Sequence, residues 1–208
     1  FAITLLNQVD VKQSHVIDNN CNFAYIDTIE FVKHSEKSLL LIYAHGNEDG
    51  FYKNNDSVAF IDSSINHSFL KGGLIYTNAC STGDIFGKKI AEKNASFYGY
   101  TKPVIKDPRY ERTYIECDNW GLYHIVKGET LIKAKERAKE KFTLEIDRCS
   151  NLFTASNLRE ARDCLVVYGD ISTSFILNAQ TEKKWLLPIK VARHFQLAVA
   201  VYLKFLQI

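Results

Sequence analysis

No methionine occurs anywhere in the 208 residues, not even at the first position. Such a chain is expected to be a fragment or a processed product, or to be missing its methionines, in which case spacings run slightly short. Cysteine is present but unorganised. Cys21, Cys80, Cys117, Cys149 and Cys164 make an odd count of five, with no Cys-x-x-Cys pair. That pattern argues against a disulfide framework and fits a reducing compartment. The opening Phe1-Ala2-Ile3-Thr4-Leu5-Leu6 lacks the charged leader and long apolar core of a signal peptide. No apolar run approaches the length of a transmembrane helix, so a cytoplasmic location is expected, with no membrane as partner. A net charge of +2 favours no acidic partner, and no basic block carries interleaved aromatics, so direct nucleic-acid binding is not expected. Internal repeats and low-complexity linkers are also missing.

What is there is an ordinary globular composition, 46% hydrophobic and 24% charged, long enough for one sizeable core. Ala2–Leu6 reads as a short strand, residues 9–22 as a polar loop, and Phe23–Val32 as a helix. Ser38-Leu39-Leu40-Leu41-Ile42-Tyr43-Ala44 is a near-continuous apolar run, the pattern of a parallel strand buried on both faces. Phe51–Tyr52 and Val58–Ile61, among turn-forming residues, predict a β-hairpin beside the sheet. Ser63–Leu70 suggests a short helix. Gly72 to Thr77 is a second buried strand, Asp84–Lys93 a helix, and Ala95–Tyr100 a strand stopped by Pro103. Residues 103–112 read as a loop. Helical patterns follow over Asn119–Val126 and Glu129–Glu145, the second with an apolar stripe of Leu131, Ala134, Ala138, Phe142 and Ile146. Residues 151–162 read as loop plus short helix, and Cys164–Tyr168 as a last buried strand. Strands alternating with helices predict an α/β fold with a mainly parallel sheet flanked by helices. The expected organisation is one domain over 1–180. The apolar residues 181–208 would follow as a helical appendage, in which Trp185–Gln207 reads as an amphipathic helix, or as part of the same domain.

Two of the apolar strands end in reactive residues. The first runs into His45-Gly46, the second into Asn78-Ala79-Cys80-Ser81-Thr82-Gly83. If they are parallel neighbours, His45 and Cys80 emerge side by side at the carboxyl edge of the sheet, where ligands bind in open α/β folds. A helix starting soon after Cys80 would favour its thiolate. Equally, Cys80 can be a small core residue, since free cysteines are among the most buried types. A thiol beside an imidazole is the arrangement of a nucleophile and its acid/base partner. Gly46 would let a substrate approach the backbone, and its N–H with that of Cys80 could form an oxyanion hole.

Leu41-Ile42-Tyr43-Ala44-His45-Gly46 followed by Leu74-Ile75-Tyr76-Thr77-Asn78-Ala79-Cys80-Ser81-Thr82-Gly83 resembles the caspase-like (clan CD) cysteine peptidases. The cysteine turn, the strand Phe97-Tyr98-Gly99-Tyr100 before Pro103, and Val166-Val167-Tyr168-Gly169-Asp170 look most like the bacterial CHAT and gingipain branch. The resemblance spans roughly residues 38 to 175. It implies a caspase-like three-layer sandwich and a cysteine endopeptidase with Cys80 as nucleophile and His45 as acid/base. Gly46 and Cys80 would hold the oxyanion, and no metal or organic cofactor is needed. It also implies a protein or peptide substrate, an activating or regulatory protein or domain, and a role in bacterial (including antiviral) defence or regulated cell death.

There are departures from the family pattern. His45 and Cys80 stand closer in sequence than the roughly 50 residues of caspases. Asn78 occupies the position where metacaspases carry an acid that binds a basic substrate side chain. Asn78 and Asp84 flank the nucleophile, Asp84 reading as a helix cap or a substrate contact. Asp163 and Asp170 lie at the two ends of the last strand, a region that lines the specificity pocket in related proteases. Each reads either as a selector of Arg or Lys or as a turn former. Two other readings stand beside the protease. One is a catalytically inactive caspase-like scaffold. The other is an unrelated α/β thiol hydrolase of small acyl or amide substrates, which would want a deep pocket rather than an open groove.

Overall fold

The computed structural model describes residues 12–17, 38–52, 59–64, 72–172, 174–176 and 199–204. The expected strand at 2–6, the helix at 23–32 and most of the short helix at 63–70 lie outside these residues.

Strand β1 (Lys12–Ile17) lies where a polar loop was expected. Then come β2 (Ser38–Tyr43), the two-residue β3 (His45–Gly46), β4 (Gly50–Tyr52) and β5 (Ala59–Asp62). Strand β6 (Leu74–Thr77) leads to the short helix α1 (Phe86–Glu92) and to β7 (Ser96–Tyr100). A 3-10 turn at Pro108–Tyr110 opens into α2 (Glu111–Val126), followed by β8 (Lys127–Thr130). Helix α2 therefore begins well before Asn119, inside the stretch expected to be loop. Helices α3 (Leu131–Arg148) and α4 (Leu152–Cys164) come next, capped by Thr130 and Asn151 side chains that accept from Lys133 and Thr154 N–H. The cap makes α4 a full helix where a loop with a short helix was expected. Strands β9 (Leu165–Tyr168), β10 (Ser174–Ile176) and β11 (Val199–Lys204) complete the described chain.

The main sheet has the order β1-β11-β2-β6-β7-β9. Its centre, β2-β6-β7, is parallel. Strand β9 runs antiparallel along β7, and β11 runs antiparallel to both β1 and β2. Four of the six strands thus point the same way, giving a mixed α/β fold with a mainly parallel central sheet. Strand β11 corrects the expectation of a C-terminal helix. Residues 199–204 are strand, and they lie in the main sheet between β1 and β2.

Alternation along the strands builds two cores. Leu39, Leu41, Leu74, Tyr76, Tyr98 and Tyr100 face α2, α3 and α4 in one cluster. Leu40, Ile42, Ile75 and Phe97 face the other way, against Phe51, Phe60, Phe86 and Ile90 of the β4–β5 hairpin and α1. The sheet is thus the middle of three layers. The stripe expected on α3, Leu131, Ala134, Ala138, Phe142 and Ile146, is buried throughout.

Candidate active site

Strands β2 and β6 are parallel neighbours, with Ile42 opposite Thr77. The Thr77 hydroxyl ties the two strand ends together, donating to the Ile42 carbonyl at 2.7 Å while accepting from the Ala79 N–H at 2.9 Å. Beyond β2 the chain turns into β3, where His45 and Gly46 pair with Tyr52 and Phe51 of the hairpin. Beyond β6 it turns through Cys80 to Gly83. Gly46 lies flat against that turn, with no room for a side chain: a Cβ there would sit 2.7 Å from the Cys80 carbonyl oxygen.

A second clasp joins the same two segments. The N–H groups of Ile85 and Phe86, at the start of α1, both donate to the Glu48 carbonyl, at 3.2 and 2.8 Å. Asn47 shapes the loop between, its Oδ1 accepting from Asp49 and Gly50 N–H at 2.9 and 3.0 Å and its Nδ2 donating to the Tyr52 hydroxyl at 2.8 Å. Helix α1 begins at Phe86, not directly after Cys80, and its first free N–H groups are taken by Glu48 and Thr82. The expected help of a helix N-terminus to the thiol is therefore not built this way.

The cysteine turn is tight. Ser81 adopts a φ of 59°, a left-handed conformation uncommon for serine, and its N–H donates to the Lys102 carbonyl at 3.1 Å. Gly83 donates to the Tyr100 carbonyl at 2.7 Å. The half-buried Cys80 Sγ accepts the Val104 N–H at 3.3 Å. The amides on either side of Cys80 are thus engaged, while its own N–H has no acceptor among the described residues.

A cleft of about 520 Å³ opens at this point, lined by Gly46, Asn47, Glu48, Asp49, Cys80, Ser81, Ile85 and Pro103. Asn47, Glu48, Asp49, Ile85 and Pro103 are exposed, so it is a groove and not a closed pocket. His45 is exposed, one residue from this lining; its backbone pairs with Tyr52, and its ring makes no hydrogen bond among the described residues.

The other expected site residues fare differently. Asn78 is half-buried between β6 and Cys80 and lies outside the cleft lining. Asp84 is not the cap of α1, which has Ile85 at that position and no side-chain cap; it instead accepts from Lys88 at 2.9 Å on the surface. Asp163 belongs to the last turn of α4 and not to a strand end. It lies at the carboxyl edge of the main sheet, because Leu165 pairs with Tyr100, but Arg162 holds its exposed carboxylate at 2.8 Å and pulls its pKa below the ordinary value. Asp170 is at the opposite edge. Antiparallel β9 sets Tyr168 beside Phe97, and the Asp170 carbonyl accepts from Ser96 at the start of β7, so the structure does not bring Asp170 to Cys80. Its side chain instead closes a turn, accepting from Ser172 N–H at 3.0 Å.

On the helix side of the sheet lies a polar cluster that sequence reasoning missed. Asp118, with its side chain 1% exposed, accepts from Lys106 Nζ at 2.5 Å and from the Tyr100 hydroxyl at 2.7 Å. The Tyr76 hydroxyl donates to the Asp118 carbonyl and accepts from Leu122 N–H, and the Tyr43 hydroxyl donates to Asn119. Burial raises the pKa of Tyr43, Tyr76, Tyr98 and Tyr100 well above that of a free phenol, so these hydroxyls stay protonated. The visible signal was the recurrence of tyrosine on successive strands; a buried aspartate on a helix has none. Burial also pushes up the Cys117 thiol, and the Cys164 thiol to about 11.

Among the described residues no group of three or more His, Cys, Asp or Glu could hold a metal ion, and no helix is long and apolar enough to cross a membrane. Compared with family models, curated proteins and solved structures, the chain matches none.

Proposed function

We propose that this chain is a caspase-like cysteine endopeptidase in which Cys80 is the nucleophile and His45 the acid/base. The observation that carries the reading is the junction of Gly46 with the Cys80 turn, at the carboxyl ends of two adjacent parallel strands and beside an open cleft. The exposed rim of that cleft suits an extended peptide better than a small acyl substrate.

In this reading the Cys80 thiol passes its proton to His45 as the sulfur attacks a peptide carbonyl, and the oxyanion of the tetrahedral intermediate is held by the N–H groups of Cys80 and Gly46. Collapse breaks the C–N bond, and protonated His45 gives its proton to the leaving amine. A water then attacks the thioester, losing a proton to His45, and releases the acid product and the free thiol. The sequence resemblance supports the same assignment. By that resemblance the enzyme would act in bacterial defence or regulated cell death, switched on by a regulatory protein or domain.

The test is a cleavage profile on a mixed peptide library for the unmodified protein, Cys80→Ala and His45→Ala. Cleavage after one residue type that vanishes in both variants is the expected result. Cleavage that persists in Cys80→Ala would assign the activity elsewhere.

A further inference from the structure

We infer that Lys106, pinned by the buried carboxylate of Asp118, is the positioning residue that sets the Val104 amide on the Cys80 sulfur. The inference rests on the reading of Cys80 as a nucleophile.

The segment from Thr101 to Asp107 leaves β7 and passes beside the cysteine turn. It starts tied to the end of α4, the Thr101 N–H donating to the Cys164 carbonyl at 3.0 Å. The Lys102 carbonyl then accepts from Ser81, and Val104 N–H meets Cys80 Sγ at 3.3 Å. Along this path Lys102, Pro103 and Ile105 are exposed, Ile105 by 56%, and Val104 alone turns its side chain into the helix-side core. Beyond that one apolar anchor, charge holds the segment on its far side. Lys106, two residues past the sulfur contact, reaches 2.5 Å from Asp118 Oδ2. Asp107, next in line, accepts from Arg109 and from the buried Thr154 hydroxyl at 3.0 Å.

Asp118 is a costly group to bury. A carboxylate in the interior persists when it is paired and hydrogen-bonded. Here its partners are the Tyr100 hydroxyl, on the strand that leads into the segment, and Lys106, on the segment itself. The acid therefore joins the helix layer to the loop that touches the thiol. The N–H at 3.3 Å, with the carbonyl of the same residue at 4.0 Å, fixes the direction of the thiol. Freed from Asp118, the segment would keep its covalent path and lose the register of that amide.

The experiment measures second-order alkylation of each cysteine by iodoacetamide, peptide by peptide, with the half-exposed Cys149 as internal reference. Lys106→Gln removes the charge from a partly exposed position, Asp118→Asn keeps the shape of the buried acceptor, and Lys106→Arg restores the cation. In Lys106→Gln and Asp118→Asn, Cys80 alkylation should slow by about tenfold relative to Cys149, with Lys106→Arg within about threefold of the unmodified protein. A folded Lys106→Gln that alkylates at the original rate overturns the inference, as does Arg at this position reacting as slowly as Gln. If Asp118→Asn does not fold, the two Lys106 variants still decide. Should Cys80 of the unmodified protein react no faster than Cys149, the nucleophile reading itself fails, and this inference with it.

Discussion

A Cβ placed on Gly46 would stand 2.7 Å from the Cys80 carbonyl oxygen and 2.6 Å from the Thr82 methyl group. Neither neighbour can yield freely, since one is backbone and the other belongs to a buried threonine. Gly46→Ala should therefore push β3 off the cysteine turn. A displacement of about 1 Å in a catalytic site costs roughly 100-fold. Peptide cleavage by Gly46→Ala should fall on that scale, and a variant with unchanged turnover would show that the junction is not part of the site.

The helix layer offers a test of the core. Phe142 on α3 is fully buried in the cluster that joins α2, α3 and α4 to the sheet. Phe142→Ala should cost about 3–5 kcal/mol through lost burial and the cavity left behind, read as a shift of the urea midpoint. A shift below about 1 kcal/mol would mean that the helix layer packs differently.

Acid sensitivity should reside partly in Asp107. Hydrogen bonds from the Arg109 side chain and backbone hold its pKa well below the ordinary 3.8. A depressed folded-state value contributes stability that is complete above the unfolded value and is lost as pH falls through the folded one. Asp107→Asn should accordingly lower the urea midpoint near neutral pH, and the gap from the unmodified protein should narrow as the pH falls below 3.8. A gap that stays constant with pH would remove Asp107 from this role.

The cysteines should divide by burial. Cys117 and Cys164 are buried, with thiol pKa values raised by desolvation, to about 11 for Cys164, while Cys80 and Cys149 are half-exposed. At pH 8 iodoacetamide should modify Cys80 and Cys149 in the native protein, and reach Cys117 and Cys164 after unfolding. Mass spectrometry of the digested protein reads this directly. Early labelling of Cys117 would contradict the packing of α2.

Much of this architecture was legible because its signals are local. The run Leu39-Leu40-Leu41-Ile42 has no polar face, and β2 indeed buries alternate residues in the two cores on either side of the sheet. The stripe on α3 repeats every three or four residues and faces the sheet as expected. The ends of β2 and β6 marked the segments that meet at the candidate site, because each apolar run stops at a glycine or a small polar residue. Other features left no local mark. Residues 199–204 share their apolar character with a buried helix, and the partners β1 and β2 that make them a strand lie at the other end of the chain. Asp170 was misplaced because a strand's pattern does not encode its direction, and β9 runs antiparallel. Asp118 and Val104 carry no motif, one being an acid within a helix and the other a loop valine.

The sequence by itself determined the alternation of elements, the two-sided burial of the central strands and the chemistry available at their ends. These follow from hydrophobic periodicity and residue type, both read over a few neighbouring positions. Tertiary structure alone decided which strands pair, which edge each aspartate reaches, and that Lys106 meets a buried acid on a helix. Those depend on contacts between residues distant in the chain, whose free energy exists only once the sheet has closed around them.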